Sequence, residues 1–215
     1  RNADATRELL LATAAGVFTE LGFDGARVDE IARRAGVNKR MIYVYFGDKE
    51  GLYHEVLRTA VEQIARATEI SFPPDASPRE CLEAWIARYF GFLAEHPDLV
   101  RLVEWEALAD GSRSAAMVQS VAIHEIKWLT EQLRRGQEAG LFRADVDPTR
   151  VLMTIHALCF GTLARRRLWN TLWQLDLSVP AAVASVTRSL TDVVLNGIRA
   201  DNPPETPTST KEYAR

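Results

Sequence analysis

The densest chemistry in this sequence lies in residues 33–49, where Arg33, Arg34, Lys39, Arg40 and Lys49 stand against a single acid, Asp48. Five cations interleaved with Tyr43 and Tyr45 suit a polyanion, because guanidinium, ammonium and phenol groups all donate to phosphate oxygens. Over residues 1–70 the ten basic residues are cancelled by eleven acidic ones, so positive charge is focused on one element and not spread over the segment. The bland alternative is a solvated helix face. The glycines, the amide of Asn38 and the aromatics around the cluster argue against it.

Those neighbours define the elements that must position the cations. Gly22 and Gly25 flank a tight connection after a first helix carrying Leu9, Leu10, Thr13, Val17 and Leu21 on one face. Val28, Ile31, Ala32 and Ala35 then give a short helix an apolar side, and Gly36 ends it. After Val37, Asn38 is a good N-cap for a second short helix through Tyr45, and Asp48 can cap a fourth. This is a helix-turn-helix, whose second helix enters the DNA major groove with its N-terminal residues leading. Ile42 and Phe46, one turn apart, read as core.

Residues 7–52 carry FTELGFDG, the Val28-x-x-Ile31-Ala32 helix, Ala35-Gly36-Val37, Ile42-Tyr43, Tyr45-Phe46 and Lys49-Glu50-Gly51-Leu52. This run resembles the DNA-binding domain of the TetR family of bacterial transcriptional regulators. The resemblance implies a homodimer on a near-palindromic operator, with a C-terminal domain that binds a small effector and dimerises through its last two helices. It makes Lys39, Arg40 and Met41 the first-turn residues facing base edges, and places Tyr43 and Lys49 on phosphate. Chemistry agrees: Arg40 can read guanine O6 and N7, and Met41 can touch a thymine methyl. Asn38 precedes them, and Tyr45 can reach base edges or backbone. Val44 stands where the family often has a polar or aromatic residue. Arg27 departs from the family's Ser or Thr; it can bind phosphate but cannot cap, which leaves Asp24 or water to satisfy the amides of the helix it precedes.

The remaining chain reads as all-α, about nine helices in total, with prolines as punctuation and no period-two alternation. Ser71, Pro73, Pro74 and Pro78 suggest a boundary, giving a helix-turn-helix domain over 1–47, a connecting helix over 48–70, a ligand-binding and dimerisation bundle over 71–200 and a flexible tail over 201–215. The last two helices are expected at 148–173 and 180–199. Val183, Val186, Leu190, Val193, Val194 and Ile198 form one face of the final helix, half for its own subunit and half for a twin. Arg165, Arg166 and Arg167 fan too widely to face one ligand.

For an effector, Trp105, Glu106, His124, Trp128, His156 and Phe160 fall on or beside apolar faces and supply the few polar groups a pocket needs. Each histidine can equally be a hydrogen-bonded core residue, and each tryptophan plain packing. Glu106, His124 and His156 are metal-ligand types, but their wide spacing gives no metal motif.

Composition bounds the rest. With 215 residues, 47% of them hydrophobic, the chain can build a core, and a net charge of −3 makes any polyanion site local. Cys81 and Cys159 have neither disulfide nor zinc spacing, and there is no apolar signal core or membrane span, so a cytoplasmic protein is expected. No nucleophile elbow, phosphate loop or close carboxylate pair suggests an enzyme, and no cofactor is implied. The expected function is a ligand-responsive regulator, a repressor by preference. The alternatives are a constitutive DNA-binding dimer and, more remotely, a small-molecule enzyme with a retained helix-turn-helix.

Overall fold

The computed structural model describes residues 3–73, 75–109, 111, 113 and 115–201; all but the first residue of the expected tail lies outside them. Among the described residues there are ten helices and no strand beyond an isolated bridge between Phe142 and Arg199. They are α1 (Ala3–Gly25), α2 (Val28–Ala35), α3 (Arg40–Phe46), α4 (Lys49–Thr68), α5 (Pro78–Glu95), α6 (Pro97–Leu108), α7 (Ala115–Glu138), α8 (Pro148–Ala164), α9 (Arg166–Trp173) and α10 (Pro180–Gly197). None is long and apolar enough to cross a membrane.

Local chemistry explains the boundaries. Proline opens α5, α6, α8 and α10, where its missing N–H costs nothing and its φ is already helical. Asp48 caps α4 by accepting from Gly51 N at 2.7 Å, and Asp147 caps α8 by accepting from Thr149 N at 2.7 Å. Gly22 interrupts α1 with φ 69° and ψ 179°, a conformation essentially restricted to glycine, which turns the chain before Gly25.

The sequence predicts one helix over 148–173, but the structure breaks it at Arg165, which adopts φ −102° and ψ 14°. The indole of Trp169 donates to the Thr162 carbonyl at 2.8 Å, taking the acceptor that an unbroken helix would offer to Arg166. The break accounts for a tenth helix where about nine are expected.

Packing centres on α4, which touches α1, α3, α5, α6 and α7. Its buried side chains Leu52, Tyr53, Val56, Leu57 and Ala60 join a core that continues from Leu10 of α1 to Ile198 just beyond α10. The same helix therefore supports the α2–α3 pair at one end and the bundle along its length.

Candidate nucleic-acid interface and bundle cavity

The turn between α2 and α3 is built by its glycine. Gly36 sits at φ 65°, and Val37 N returns to Ala32 O at 3.1 Å, closing the end of α2. Asn38 Oδ1 then accepts from Arg40 N at 2.9 Å, which starts α3. Ile42 and Phe46 point into the core, which leaves Lys39, Arg40, Tyr43 and Val44 on the opposite, exposed face. Met41 and Tyr45 are half-buried and pack against the core, so each offers only part of its side chain outward.

The cations are less free than their count suggests. Glu30 accepts from Arg33 Nε at 2.9 Å and from Arg34 Nε at 2.7 Å, and Arg34 also reaches Glu20 at 2.8 Å. These bonds hold the Glu30 carboxyl down at about 2. Lys39 Nζ lies 3.0 Å from Asp29, whose hydrogen bond and charge raise the ammonium above its ordinary range. Among the described residues Arg40 pairs with no acid. Asp29 and Glu30 lie just before residues 33–49 and Glu20 lies on α1; the spacing from Glu30 to Arg33 and Arg34, three and four residues, is the signal the sequence carries for two of these pairs.

Arg27 is exposed at the start of α2 in extended geometry, φ −113° and ψ 136°, and makes no side-chain cap. Lys49 is half-buried, with Nζ 4.4 Å from the centre of the Phe23 ring. The Arg113 guanidinium, from the α6–α7 connection, lies 4.4 Å from the same ring centre. Partial burial, and secondarily the nearby Arg113, push the Lys49 ammonium below its ordinary range, and Asp24 partly offsets this. In the sequence Phe23 stands out only as part of FTELGFDG, and nothing there points to Arg113.

Between α4, α5, α6, α7 and α8 lies a cavity of about 540 Å³. Glu106, His156 and Phe160 line it, along with Trp85, Tyr89 and Glu125. Glu106 is 4% exposed: Oε2 accepts from the Tyr53 hydroxyl at 3.2 Å, while Oε1 has no hydrogen-bond partner among the described residues. Burial, reinforced by that carboxylate, raises the Tyr53 hydroxyl well above its ordinary value. Tyr89 stacks on Trp85 at 4.7 Å between centroids and shares a hydrogen bond with His156 Nδ1. Burial pushes Tyr89 up and His156 down, so both are neutral at pH 7. His156 is enclosed by protein atoms yet presents accessible surface, because it faces cavity space.

His124 and Trp128 line an adjoining cavity of about 320 Å³, which shares Ala65, Trp85 and Glu125 with the larger one. Trp105 lines neither. Its Nε1 donates to the Thr19 carbonyl at 3.2 Å, and its ring sits over Gly22, where a Cβ would come within 3.2 Å of it. The six sequence candidates therefore divide three, two and one. Trp85 and Tyr89, one helical turn apart on α5, read in the sequence as a plain apolar stripe.

Residues 10–56 match the family described as "Bacterial regulatory proteins, tetR family", and residues 78–194 match "Tetracyclin repressor-like, C-terminal domain". The HTH-type transcriptional repressor NicS of Pseudomonas putida is 30% identical over 93% of this chain and 95% of its own. The crystal structure of the transcriptional regulator SCO4942 of Streptomyces coelicolor superimposes with a TM-score of 0.69 at 27% identity, covering 87% of this chain and 97% of that one. The ketosteroid transcriptional regulator KstR2 of Mycobacterium tuberculosis does so with a TM-score of 0.67 at 25% identity, covering 91% and 95%.

Proposed function

The chain belongs to the TetR family of bacterial transcriptional regulators, which act through a DNA-binding helix-turn-helix, and on that premise we propose that it is a repressor whose operator affinity responds to a small effector. The observation that carries this reading is the double role of α4. Its side chains Leu57, Val61, Ile64 and Ala65 form one wall of the 540 Å³ cavity, while its first turn packs beneath α3. A ligand that moves this wall moves the support of the recognition helix.

A chain of direct contacts runs the same way. Glu106 in the cavity holds the Tyr53 hydroxyl, the Tyr53 ring meets Phe23 at 5.0 Å, and Phe23 carries Lys49 and Arg113 on its ring. Reorganisation at Glu106 therefore reaches a lysine that binds phosphate in this reading. A coupling of about 1–3 kcal/mol changes operator affinity roughly 5- to 150-fold.

In the same proposal residues 1–47 read DNA, 48–70 connect, and 71–200 sense and dimerise. Arg40 reads a base edge, with Lys39 exchanging Asp29 for DNA. Met41 and Tyr45 add partial contacts, and Arg27, Asn38, Tyr43 and Lys49 hold the backbone. Homodimerisation is supported by large apolar side chains left exposed toward the C-terminal end: Leu172 56%, Trp173 66% and Val193 68%. Val194, Leu195 and Ile198, which follow Val193 along the chain, are buried within the subunit, and this contrast supports a final helix divided between its own core and a twin. The chain does its work on DNA in the bacterial cytoplasm and performs no catalysis.

The test is selection from a randomised duplex library with the purified protein, followed by anisotropy titration. The expected product is a near-palindrome with half-sites about one turn, roughly 34–36 Å, apart. Failure to enrich any sequence over random duplex would sink the proposal.

A further inference from the structure

We propose that the α4–α8 cavity takes an amphipathic organic cation, a protonated amine on an apolar or aromatic body, with the Glu106 carboxylate as its counter-ion. This deepens the effector-responsive reading above and rests on it. The primary observation is the orphaned oxygen. Glu106 is 4% exposed and lines the cavity, and its buried Oε1 has no partner among the described residues although Oε2 is held by Tyr53. A buried acceptor left without a donor is unfavourable, and a ligand N–H at this point supplies what the protein does not.

Charge selects among donors. The ionisable acids lining the cavity are Glu104, Glu106 and Glu125, and neither Lys nor Arg is among its described lining residues. Glu125 already accepts from Trp85 Nε1 through Oε1 at 2.8 Å, and among the described residues its carboxylate, unlike that of Glu106, has no buried oxygen left without a donor. His156 does not offset the acids, since burial depresses its protonation. A carboxylate ligand would therefore enter a site of its own sign, while an ammonium balances Glu106 and supplies the missing donor.

The rest of the wall suits the remainder of such a molecule. Leu57, Val61, Ile64, Val103, Leu129 and Leu152 provide aliphatic surface, and the Trp85–Tyr89 pair with Phe160 adds aromatic rings able to meet a cation. A volume of about 540 Å³ accommodates a body larger than a metabolite the size of an amino acid.

The experiment compares 4-phenylbutylamine, 4-phenylbutan-1-ol and 5-phenylpentanoate, one phenylbutyl body carrying an ammonium, a hydroxyl or a carboxylate. Binding to the full chain at pH 7.5 is followed by calorimetry and tryptophan fluorescence. The amine should bind about tenfold or more tighter than the alcohol, with the carboxylate weakest. Glu106→Gln should remove that advantage and leave the alcohol within about twofold, which also reports that the variant is folded. If Glu106→Gln does not fold, the ranking of the three probes on the unaltered protein decides. Carboxylate binding equal to or tighter than amine binding overturns the proposal. So does an amine-to-alcohol ratio unchanged by Glu106→Gln, or the absence of binding by all three. Operator selection is measured separately: a chain that selects an operator and releases it to a carboxylate keeps the repressor reading and loses this one.

Discussion

Gly22→Ala probes the point where α1 and α6 meet, and its cost has two separable parts. The backbone at φ 69° and ψ 179° lies in a region essentially restricted to glycine, so an alanine there costs about 1–3 kcal/mol. The new methyl would also lie 3.2 Å from Cδ2 and Cε3 of Trp105, and crowding of this kind costs about 1–3 kcal/mol more. The total is about 2–6 kcal/mol, and at about 2–4 °C per kcal/mol for a chain of this size the melting temperature should fall by at least about 4 °C. Trp105→Ala removes the crowding ring but not the backbone strain. Alone it should cost about 0.5–1.5 kcal/mol for the lost indole bond to Thr19, plus the packing lost with the ring. The double variant should then be less destabilised than the sum of the two, by about 1–3 kcal/mol. Urea denaturation of the four proteins measures the cycle. Additivity within about 0.5 kcal/mol would refute the seating of Trp105 on Gly22.

Arg40→Ala should weaken operator binding by about 1–3 kcal/mol and relax preference at one base pair, read by anisotropy against single-base operator variants; equal loss on random duplex excludes base reading. Lys49→Ala should weaken all sequences alike and lower the salt slope by about one, and an unchanged slope removes its phosphate contact. Glu30, held at about 2 by Arg33 and Arg34, stabilises the fold fully above its ordinary 4.5, and that contribution fades as pH falls toward 2; a carboxyl NMR titration with its midpoint near 4.5 contradicts this. Burial pushes Cys159 up to about 12 and raises Cys81 as well, so neither thiol should react with a disulfide reagent at pH 8 until the chain is unfolded. Rapid labelling of the native protein would show that one of them is accessible.

Legibility in the sequence followed the range of the interaction. The Val28, Ile31, Ala32, Ala35 stripe and Gly36 place α2 to the residue, because periodicity and a left-handed cap are local properties. The Asn38 cap was local in the same way. The break at Arg165 was not visible, since it depends on an indole reaching back to Thr162. Adjacent helix residues point about 100° apart, so Trp105 can turn to Gly22 while Glu106 turns to the cavity, and an apolar stripe cannot say which neighbour each meets. Counting charge within a window likewise overstated the freedom of Arg33, Arg34 and Lys39, whose acids sit on α1 and the first turn of α2.

The placement of α4 has a mechanical consequence. Ile64 on the cavity wall and Lys49 at the other end are fifteen residues apart, a lever arm of about 22 Å at 1.5 Å per residue. A tilt of only about 4° pivoted near Ile64 would swing the tip by about 1.5 Å, comparable with the helix shifts of about 1–2 Å that switch other regulatory proteins. In the proposed two-fold dimer the displacement would occur at both ends of the operator, and its component along the line between the recognition helices would be doubled in their separation. Under the proposed function, a small guest would spoil the fit to the DNA without any helix unfolding.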